Sequence, residues 1–303
     1  PTIQAAINAH LATGFTAAQL DDLAAFLLEA PGAASTPDAV VLQSGTVTIE
    51  QSNASTWFSV AFERAFDGVP KVVMGPPTFA GGQATTMRVR NVTPSGFEYQ
   101  LDEWDYLDGY HLTETIAWLA VMPGRHTLGG LSVEAMSVSA TPAFRNIAFG
   151  SAFSATPVVL SQVVTVNQAN AVTTRQRGIS ATGLQLQLES EEGATVAHAA
   201  ETVDIIAVAT GVGTMADGTV LAAGITADAY DERWRAVDFG VSLPGGHLLA
   251  NMQTTDGGDS ATLRQRSLSA TSVEMLVQEE QSANSEVAHT LEVIGWFVVQ
   301  PAP

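Results

Sequence analysis

A histidine and a glutamate three residues apart stand directly before a run of large apolar residues at three places in this 303-residue chain. The histidines are 87 and 91 residues apart, and an Arg-x-Arg pair recurs with nearly the same spacing. A steady period over several landmarks predicts three homologous domains. The three His-x-x-Glu pairs are His111/Glu114, His198/Glu201 and His289/Glu292.

Within each repeat the sequence predicts β-strands. In "MRVRNV" the apolar Met87 and Val89 alternate with Arg88 and Arg90, which is the period-2 pattern of a strand with one buried face. Runs such as "IAWLAV" are apolar throughout and predict central strands that are covered on both sides. Six short strands per repeat without a helical stretch predict an all-β chain of three tandem six-stranded antiparallel β-sandwiches.

The start of the chain differs from the repeats. Leu20, Leu23, Phe26 and Leu27 are spaced for one face of a helix, and Thr16 is a suitable N-cap. This short helical segment resembles the closing helix of c-type cytochrome domains, although the chain lacks the cysteines that attach haem. Because the chain opens on Pro1, we expect it to be processed or cut from a longer protein. The predicted organisation is a helical lead-in over 1–31, a linker over 32–43, and β-sandwiches over 44–124, 125–212 and 213–303.

Composition limits the partners. The formal net charge is −19 and Lys71 is the single lysine, so a positive face that follows a phosphate backbone is not expected. We therefore expect no nucleic-acid partner and no binding to anionic membranes. No apolar run is long enough to insert into a membrane. An acidic, lysine-poor, strand-rich composition is typical of proteins outside the cell, so we predict a secreted or cell-surface protein.

The first repeat resembles a known family. "VAFERAFDGVPKVV", then "NVTPSGFEYQLDEW", then "AWLAV" is similar to the H-type lectin domain of the snail agglutinin and the discoidin C-terminal domain. The resemblance covers about residues 45–121 and is weaker in the other repeats. It implies a six-stranded antiparallel β-sandwich, and because family members form trimers, three tandem copies are expected to form a pseudo-trimer.

The same resemblance implies a carbohydrate site on the first repeat. Family members bind terminal sugars such as galactose and N-acetylgalactosamine through a strand arginine, an acidic residue, and aromatic or histidine side chains. The corresponding loops of the second and third repeats contain no aromatic residue. The implied carbohydrate-binding residues are Arg88 or Arg90 together with Trp104, Tyr106, Tyr110 and His111.

The Arg-x-Arg pairs have two readings. Two arginines spaced by two project from one face of a strand and can bind a carboxylate or a sugar hydroxyl through forked hydrogen bonds. Alternatively they form a salt-bridged ladder with acidic residues of the following strand, which include Glu98, Glu189 and Glu279. The pairs are Arg88/Arg90, Arg175/Arg177 and Arg264/Arg266.

The His-x-x-Glu pairs can be metal ligands, sugar contacts or structural anchors. Acidic residues nearby make a calcium site conceivable, but each repeat supplies one histidine and no EF-hand loop is present, so we assign no metal or other cofactor. The pair persists in the second repeat, where the aromatic residues are lost, which favours a structural role. For Glu201 we expect a guanidinium partner, Arg175 or Arg177.

No sequence motif of an enzyme is present, and a triplicated site is typical of a multivalent binder. We therefore predict a non-catalytic, lectin-like carbohydrate-binding module of a larger protein, multivalent by triplication, with a glycan or polysaccharide as partner. The alternative is a structural or adhesive region without sugar affinity, whose partner is a neighbouring domain or another copy of itself.

Overall fold

The computed structural model describes residues 39–302, and within this range the chain is all-β and contains no helix. The predicted helical lead-in over 1–31 lies outside the described residues, as does most of the linker. Twenty strands form six small antiparallel sheets. The strands are β1 Leu42–Gln51, β2 Phe58–Ala61, β3 Lys71–Met74, β4 Thr85–Thr93, β5 Gly96–Glu103, β6 His111–Val121, β7 Gly124–Leu128, β8 Leu131–Ala140, β9 Arg145–Ala148, β10 Val158–Val163, β11 Val172–Ser180, β12 Gly183–Ser190, β13 Glu201–Val208, β14 Gly211–Thr214, β15 Val220–Ile225, β16 Arg235–Asp238, β17 His247–Met252, β18 Ala261–Arg266, β19 Ser272–Glu279 and β20 Ile294–Gln300.

Each sheet is built from strands of one stretch of the chain. The first segment, β1 to β6, forms sheets β1-β6-β3 and β2-β5-β4. The second segment, β7 to β13, forms β10-β13-β8-β7 and β11-β12-β9, and the third, β14 to β20, forms β14-β15-β20-β17 and β16-β19-β18. The second and third segments thus have seven strands each where we expected six. The added strands, β7 and β14, pair with the next strand in the chain across short turns that contain glycines with positive φ. The second and third segments therefore each begin with a hairpin.

Side-chain alternation positions the strands as the sequence predicts. In β12 the side chains of Leu184, Leu186 and Leu188 are buried, while the glutamines between them are half-buried. The apolar runs of β6, β13 and β20 lie between two neighbouring strands of their sheets and are buried along their second halves. The prediction of central strands is therefore confirmed.

A left-handed residue follows the second arginine of each Arg-x-Arg pair. Asn91 has φ 52°, Gly178 has φ 58° and Ser267 has φ 54°. In the first two segments the pairing register shifts at this point, as in a β-bulge, before the hairpin turn to the next strand. The left-handed residue is therefore common to all three segments, and the register shift accompanies it in the first two.

The apolar core has two levels. Three clusters of buried side chains lie within the individual segments. A further cluster draws on all three, and Leu119 of β6, Ile206 of β13 and Phe297 of β20 meet in it with no exposed surface. Since burial of apolar surface is the main stabilising contribution to folding, this shared cluster joins the three segments into one body.

Candidate functional site

The His-x-x-Glu pairs stand at or just before the starts of β6, β13 and β20, and all six side chains are buried. Each glutamate accepts hydrogen bonds from a threonine hydroxyl and from backbone N–H groups of a nearby loop of its own segment, which follows β3, β10 or β17. The three threonines are Thr78, Thr165 and Thr254. A buried carboxylate is tolerated only when it is paired and hydrogen-bonded in this way.

The guanidinium partner of each glutamate comes from a different segment. Arg88 of the first segment faces Glu201 of the second, Arg175 of the second faces Glu292 of the third, and Arg264 of the third faces Glu114 of the first. We expected Arg175 or Arg177 to pair with Glu201, and this prediction was wrong. Residues 175 and 177 belong to the same segment as Glu201, whereas the glutamate lies at the edge that meets the neighbour. We call these contacts the first–second, second–third and third–first seams.

At the third–first seam, Arg264 Nη2 lies 2.6 Å from Glu114 Oε1. The Nε2 atom of His111 lies 3.1 Å from the same oxygen, and its Nδ1 atom lies 2.9 Å from Oε1 of Glu103. Arg264 also donates to the carbonyl oxygens of Thr78, Gly81 and Gln83. The histidine therefore links two carboxylates while the guanidinium closes the network from the other segment.

The second–third seam repeats this arrangement. Arg175 Nη2 lies 2.8 Å from Glu292 Oε1. The Nε2 atom of His289 lies 3.2 Å from that oxygen, and its Nδ1 atom lies 2.6 Å from Glu279 Oε1. Arg175 has a further carboxylate partner in its own segment, Glu189, at 3.1 Å.

The first–second seam is looser. Arg88 Nη2 lies 3.9 Å from Glu201 Oε1, and its nearest own-segment carboxylate, Asp102, is at 3.6 Å. The position of Glu103 and Glu279 is taken by Ser190, the last residue of β12. His198 lies 3.3 Å from Glu201, but neither of its ring nitrogens has a hydrogen-bond partner among the described residues.

These environments shift the pKa values in opposite directions. Burial alone would raise the pKa of Glu114, but hydrogen bonds from His111, Thr78 and the loop backbone outweigh it and lower the pKa to about 2. Burial raises the pKa of Asp102 and of Glu189 to about 7, with the adjacent arginines opposing the shift. Burial lowers the pKa of Arg264 to about 10 against the opposing effect of Glu114.

The second arginine of each pair lies outside the seams. The guanidinium of Arg90 stacks 3.9 Å from the Trp57 ring centroid and donates to Glu98 at 2.6 Å. Arg177 stacks on Phe144, and Arg266 stacks on Trp234 and pairs with Glu274. The ion-pair ladder is therefore present at Arg90/Glu98 and at Arg175/Glu189, while Glu279 contacts His289 instead.

The six side chains with an implied sugar-binding role divide into two groups. Arg88, Trp104 and His111 are buried, and Trp104 packs against Ala84 and Ala171 without exposed surface. Arg90, Tyr106 and Tyr110 are partly exposed. Their role in sugar binding stays a prediction.

Tyr106 lines a cleft beside the third–first seam. Its backbone N–H donates to Glu191 of the second segment at 3.3 Å, and its hydroxyl accepts a hydrogen bond from the Gln281 N–H of the third segment at 3.0 Å. The loop that carries Tyr106 thus contacts both other segments, and its ring lines a cleft of about 330 Å³ between the first and third segments.

The cleft combines two aromatic rings with amide and carboxyl side chains. Phe79 is 37% exposed and Tyr106 is 39% exposed, and the Phe79 ring meets Trp234 edge to face at 5.3 Å. Sequence reasoning missed Phe79, and the signal was the aromatic residue directly after Thr78, at a position that Val166 and Thr255 occupy in the other segments. The polar residues that line the cleft are Gln83, Gln278, Gln281, Glu232 and the largely buried Glu279.

The part of the chain that the structure describes contains no group of three or more acidic or histidine side chains arranged to hold a metal ion. The same residues include no helix of sufficient length and apolarity to cross a membrane.

Comparisons with known proteins give a matching domain family and a similar protein. Residues 57–121 match the family model of the H-type lectin domain. The chain is 27% identical over 269 residues to halomucin of Haloquadratum walsbyi (strain DSM 16790 / HBSQ001), an alignment that covers 83% of this chain and 3% of halomucin. The chain therefore spans a small part of that relative's length. No solved structure matches. The similarity to the H-type lectin domain thus coincides with the segment that contributes Phe79 and Tyr106 to the cleft.

Proposed function

We propose that this chain is a non-catalytic carbohydrate-binding module and that the cleft beside the third–first seam binds the glycan. The observation that carries the proposal is the pairing of two partly exposed aromatic rings with amide side chains in one concave site. The match of residues 57–121 to the H-type lectin domain supports it.

The chemistry of the cleft fits a sugar ring. The C–H face of a pyranose is apolar and can pack on Phe79 or Tyr106, while its hydroxyl edge can exchange hydrogen bonds with Gln83 and Gln281. The volume of about 330 Å³ lies within the range of small-ligand sites.

The arrangement of the segments supports a pseudo-trimer of three β-sandwiches. Each segment gives an arginine to the next and receives one from the previous, so that the three seams close a ring. The cluster shared by all three segments supports the same architecture. We therefore propose three sandwiches of six, seven and seven strands that pack as the protomers of a trimer would.

The number of glycan sites follows from the aromatic residues. Phe79 is replaced by Val166 and Thr255 at the other two seams. We propose one principal site for each chain, and multivalency then requires either weaker sites at the other seams or several modules in a longer protein. The lectin-domain match and the relative named halomucin support an extracellular or surface location.

Glycan-array binding followed by titration calorimetry tests the proposal. The array should include galactose, N-acetylgalactosamine and acidic polysaccharides. Phe79→Ala should weaken binding of the best array hit about tenfold or more, because an aromatic anchor supplies a large share of the binding free energy of a small site. The matched control is Phe144→Ala, which removes a ring that stacks on Arg177 in the second segment, outside the cleft.

Equal affinity of the two variants, at unchanged melting temperature, would contradict the cleft as the site. Trp104→Ala and Arg88→Ala are less informative, since both side chains are buried and their loss is expected to disturb packing.

The alternative is a structural or adhesive region of a larger protein. The observation that favours it is that the buried seams use Arg88, Trp104 and His111, three of the residues with an implied sugar role, for packing and ion pairing. A chain without affinity for any array glycan that self-associates in light scattering at micromolar concentration would support this function over the first.

A further inference from the structure

A small polar cavity lies where the three segments meet. Its volume is about 60 Å³. Each segment contributes residues at or after the end of one strand and residues at the start of its arginine-bearing strand. The contributing strands are β3 and β4, β10 and β11, and β17 and β18. Such a volume exceeds the ~10–15 Å³ that a single water requires.

The polar side chains that line the cavity carry hydroxyl or amide groups and no charge, and the other lining residues are apolar, proline or glycine. Ser161 Oγ lies 2.8 Å from the Thr174 hydroxyl and 3.3 Å from Gln176 Oε1. Thr86, Thr173 and Thr262, each two residues before the buried arginine of its segment, also line it. The lining therefore offers hydrogen-bond donors and acceptors from every segment.

Two of the polar atoms in this region have no protein partner. Thr86 is 3% exposed, and its Oγ1 atom has no hydrogen-bond partner among residues 39–302. Gln265 donates from Nε2 to the Pro76 carbonyl at 3.0 Å, but its Oε1 atom is also without a partner in the described chain. A buried, unsatisfied hydroxyl costs free energy comparable to a lost hydrogen bond.

We infer that this cavity binds ordered water, with at least one molecule hydrogen-bonded to Thr86 Oγ1. A small polar cavity with several donors and acceptors is the setting in which buried water makes two to four hydrogen bonds. A neutral lining favours water over an ion, because a desolvated charge would have no opposite charge beside it. The water would bridge side chains of separate segments.

Thr86→Val tests the inference by the sign of its effect, since valine keeps the shape and removes the hydroxyl. If water is bound, the variant leaves it with one partner fewer and the melting temperature falls by about 2–4 °C. If the cavity is dry, removing an unsatisfied hydroxyl raises the melting temperature and overturns the inference. The control is Thr46→Val at an exposed position of β1, which corrects for the intrinsic preference of valine for strands.

A high-resolution crystal structure of the chain gives an independent readout. Electron density within about 2.5–3.0 Å of Thr86 Oγ1 supports the inference, and an empty cavity contradicts it. Crystals soaked in rubidium chloride distinguish the ligand, because an anomalous peak at this position would show a monovalent cation and overturn the assignment to water.

Discussion

The third–first and first–second seams use the same three residue types but differ in how tightly they pair. At the third–first seam His111 is held between Glu103 and Glu114, and Arg264 lies 2.6 Å from Glu114. At the first–second seam Ser190 stands at the position that corresponds to Glu103, and Arg88 lies 3.9 Å from Glu201.

The difference concerns the effect of the carboxylate at the position of Glu103 and Glu279 on the pKa of the histidine. With both carboxylates present, as at His289, burial lowers the pKa of the histidine but hydrogen bonds to Glu292 and Glu279 outweigh it and raise the pKa overall. At His198, burial lowers the pKa and the attraction of Glu201 does not compensate. His289 is thus held by two acidic partners, whereas His198 has Glu201 alone.

The largest expected effect separates the two seams by stability. Glu114→Ala should lower the free energy of unfolding by roughly 3 to 5 kcal/mol, because Arg264 then loses its hydrogen-bonded carboxylate and keeps neutral hydrogen-bond partners such as Gln278. Glu201→Ala should cost less, because Arg88 is farther from Glu201 and retains Asp102. Calorimetric or denaturant unfolding measures both losses.

The same melts in EDTA and in added calcium should give unchanged values, since we expect the pairs to be structural. Equal losses in the two variants would refute the ranking of the seams, and a fall in the melting temperature of the parent protein with EDTA would assign these residues to a metal.

A second prediction concerns pH. The pKa of Glu189 is raised by burial from 4.5 to about 7, so the folded chain holds a proton that the unfolded chain has lost. The stability that this proton provides is complete below about pH 4.5 and is lost as the pH rises through about 7. Asp102 acts in the same direction, and Glu114, whose pKa is lowered to about 2, acts oppositely below pH 4.5.

Glu189→Gln should therefore flatten the decline of the melting temperature between pH 4.5 and 7. The third segment offers the matched control, because Gln278 occupies the corresponding position beside Arg264. Gln278→Glu should steepen the decline. An unchanged pH profile in both variants would remove the buried carboxyls from the explanation.

The smallest effect is expected when a carboxylate is introduced at Ser190, the position of Glu103 and Glu279 in the other segments. Ser190→Glu should give His198 a second acidic partner and raise its pKa, which an NMR titration of the imidazole resonances can follow. The reciprocal variant, Glu279→Ser, should lower the pKa of His289. Ser190→Gln provides the uncharged control of similar size, and an equal shift in it would argue against an electrostatic cause.

The sequence indicated the His-x-x-Glu side of each seam but not its arginine partner. The persistence of His198/Glu201 where the aromatic residues are lost indicated a structural pair, and the burial and hydrogen bonds of Glu201 agree with that reading. The arginine partner could not be found from sequence, because Arg264 and Glu114 are separated by 150 residues and meet only through the packing of two segments.

The strands and the cleft show the same limit. Alternation along β12 and the apolar runs of β6, β13 and β20 follow from local periodicity, so sequence identifies them. Phe79 and Gln281 line one cleft because their segments adjoin, and no local pattern in either segment signals that.

The head-to-tail direction of the seams has a consequence for the chain's connectivity. Because every segment both gives and receives an arginine, the proposed ring has no privileged first member, and a circularly permuted chain that begins at β7 is expected to retain all three seams. A chain truncated before β14 instead exposes an unmatched Arg175 at one end and an unmatched Glu114 at the other. These two surfaces are complementary, so the truncated chain is expected to add copies of itself and grow into open oligomers rather than remain monomeric.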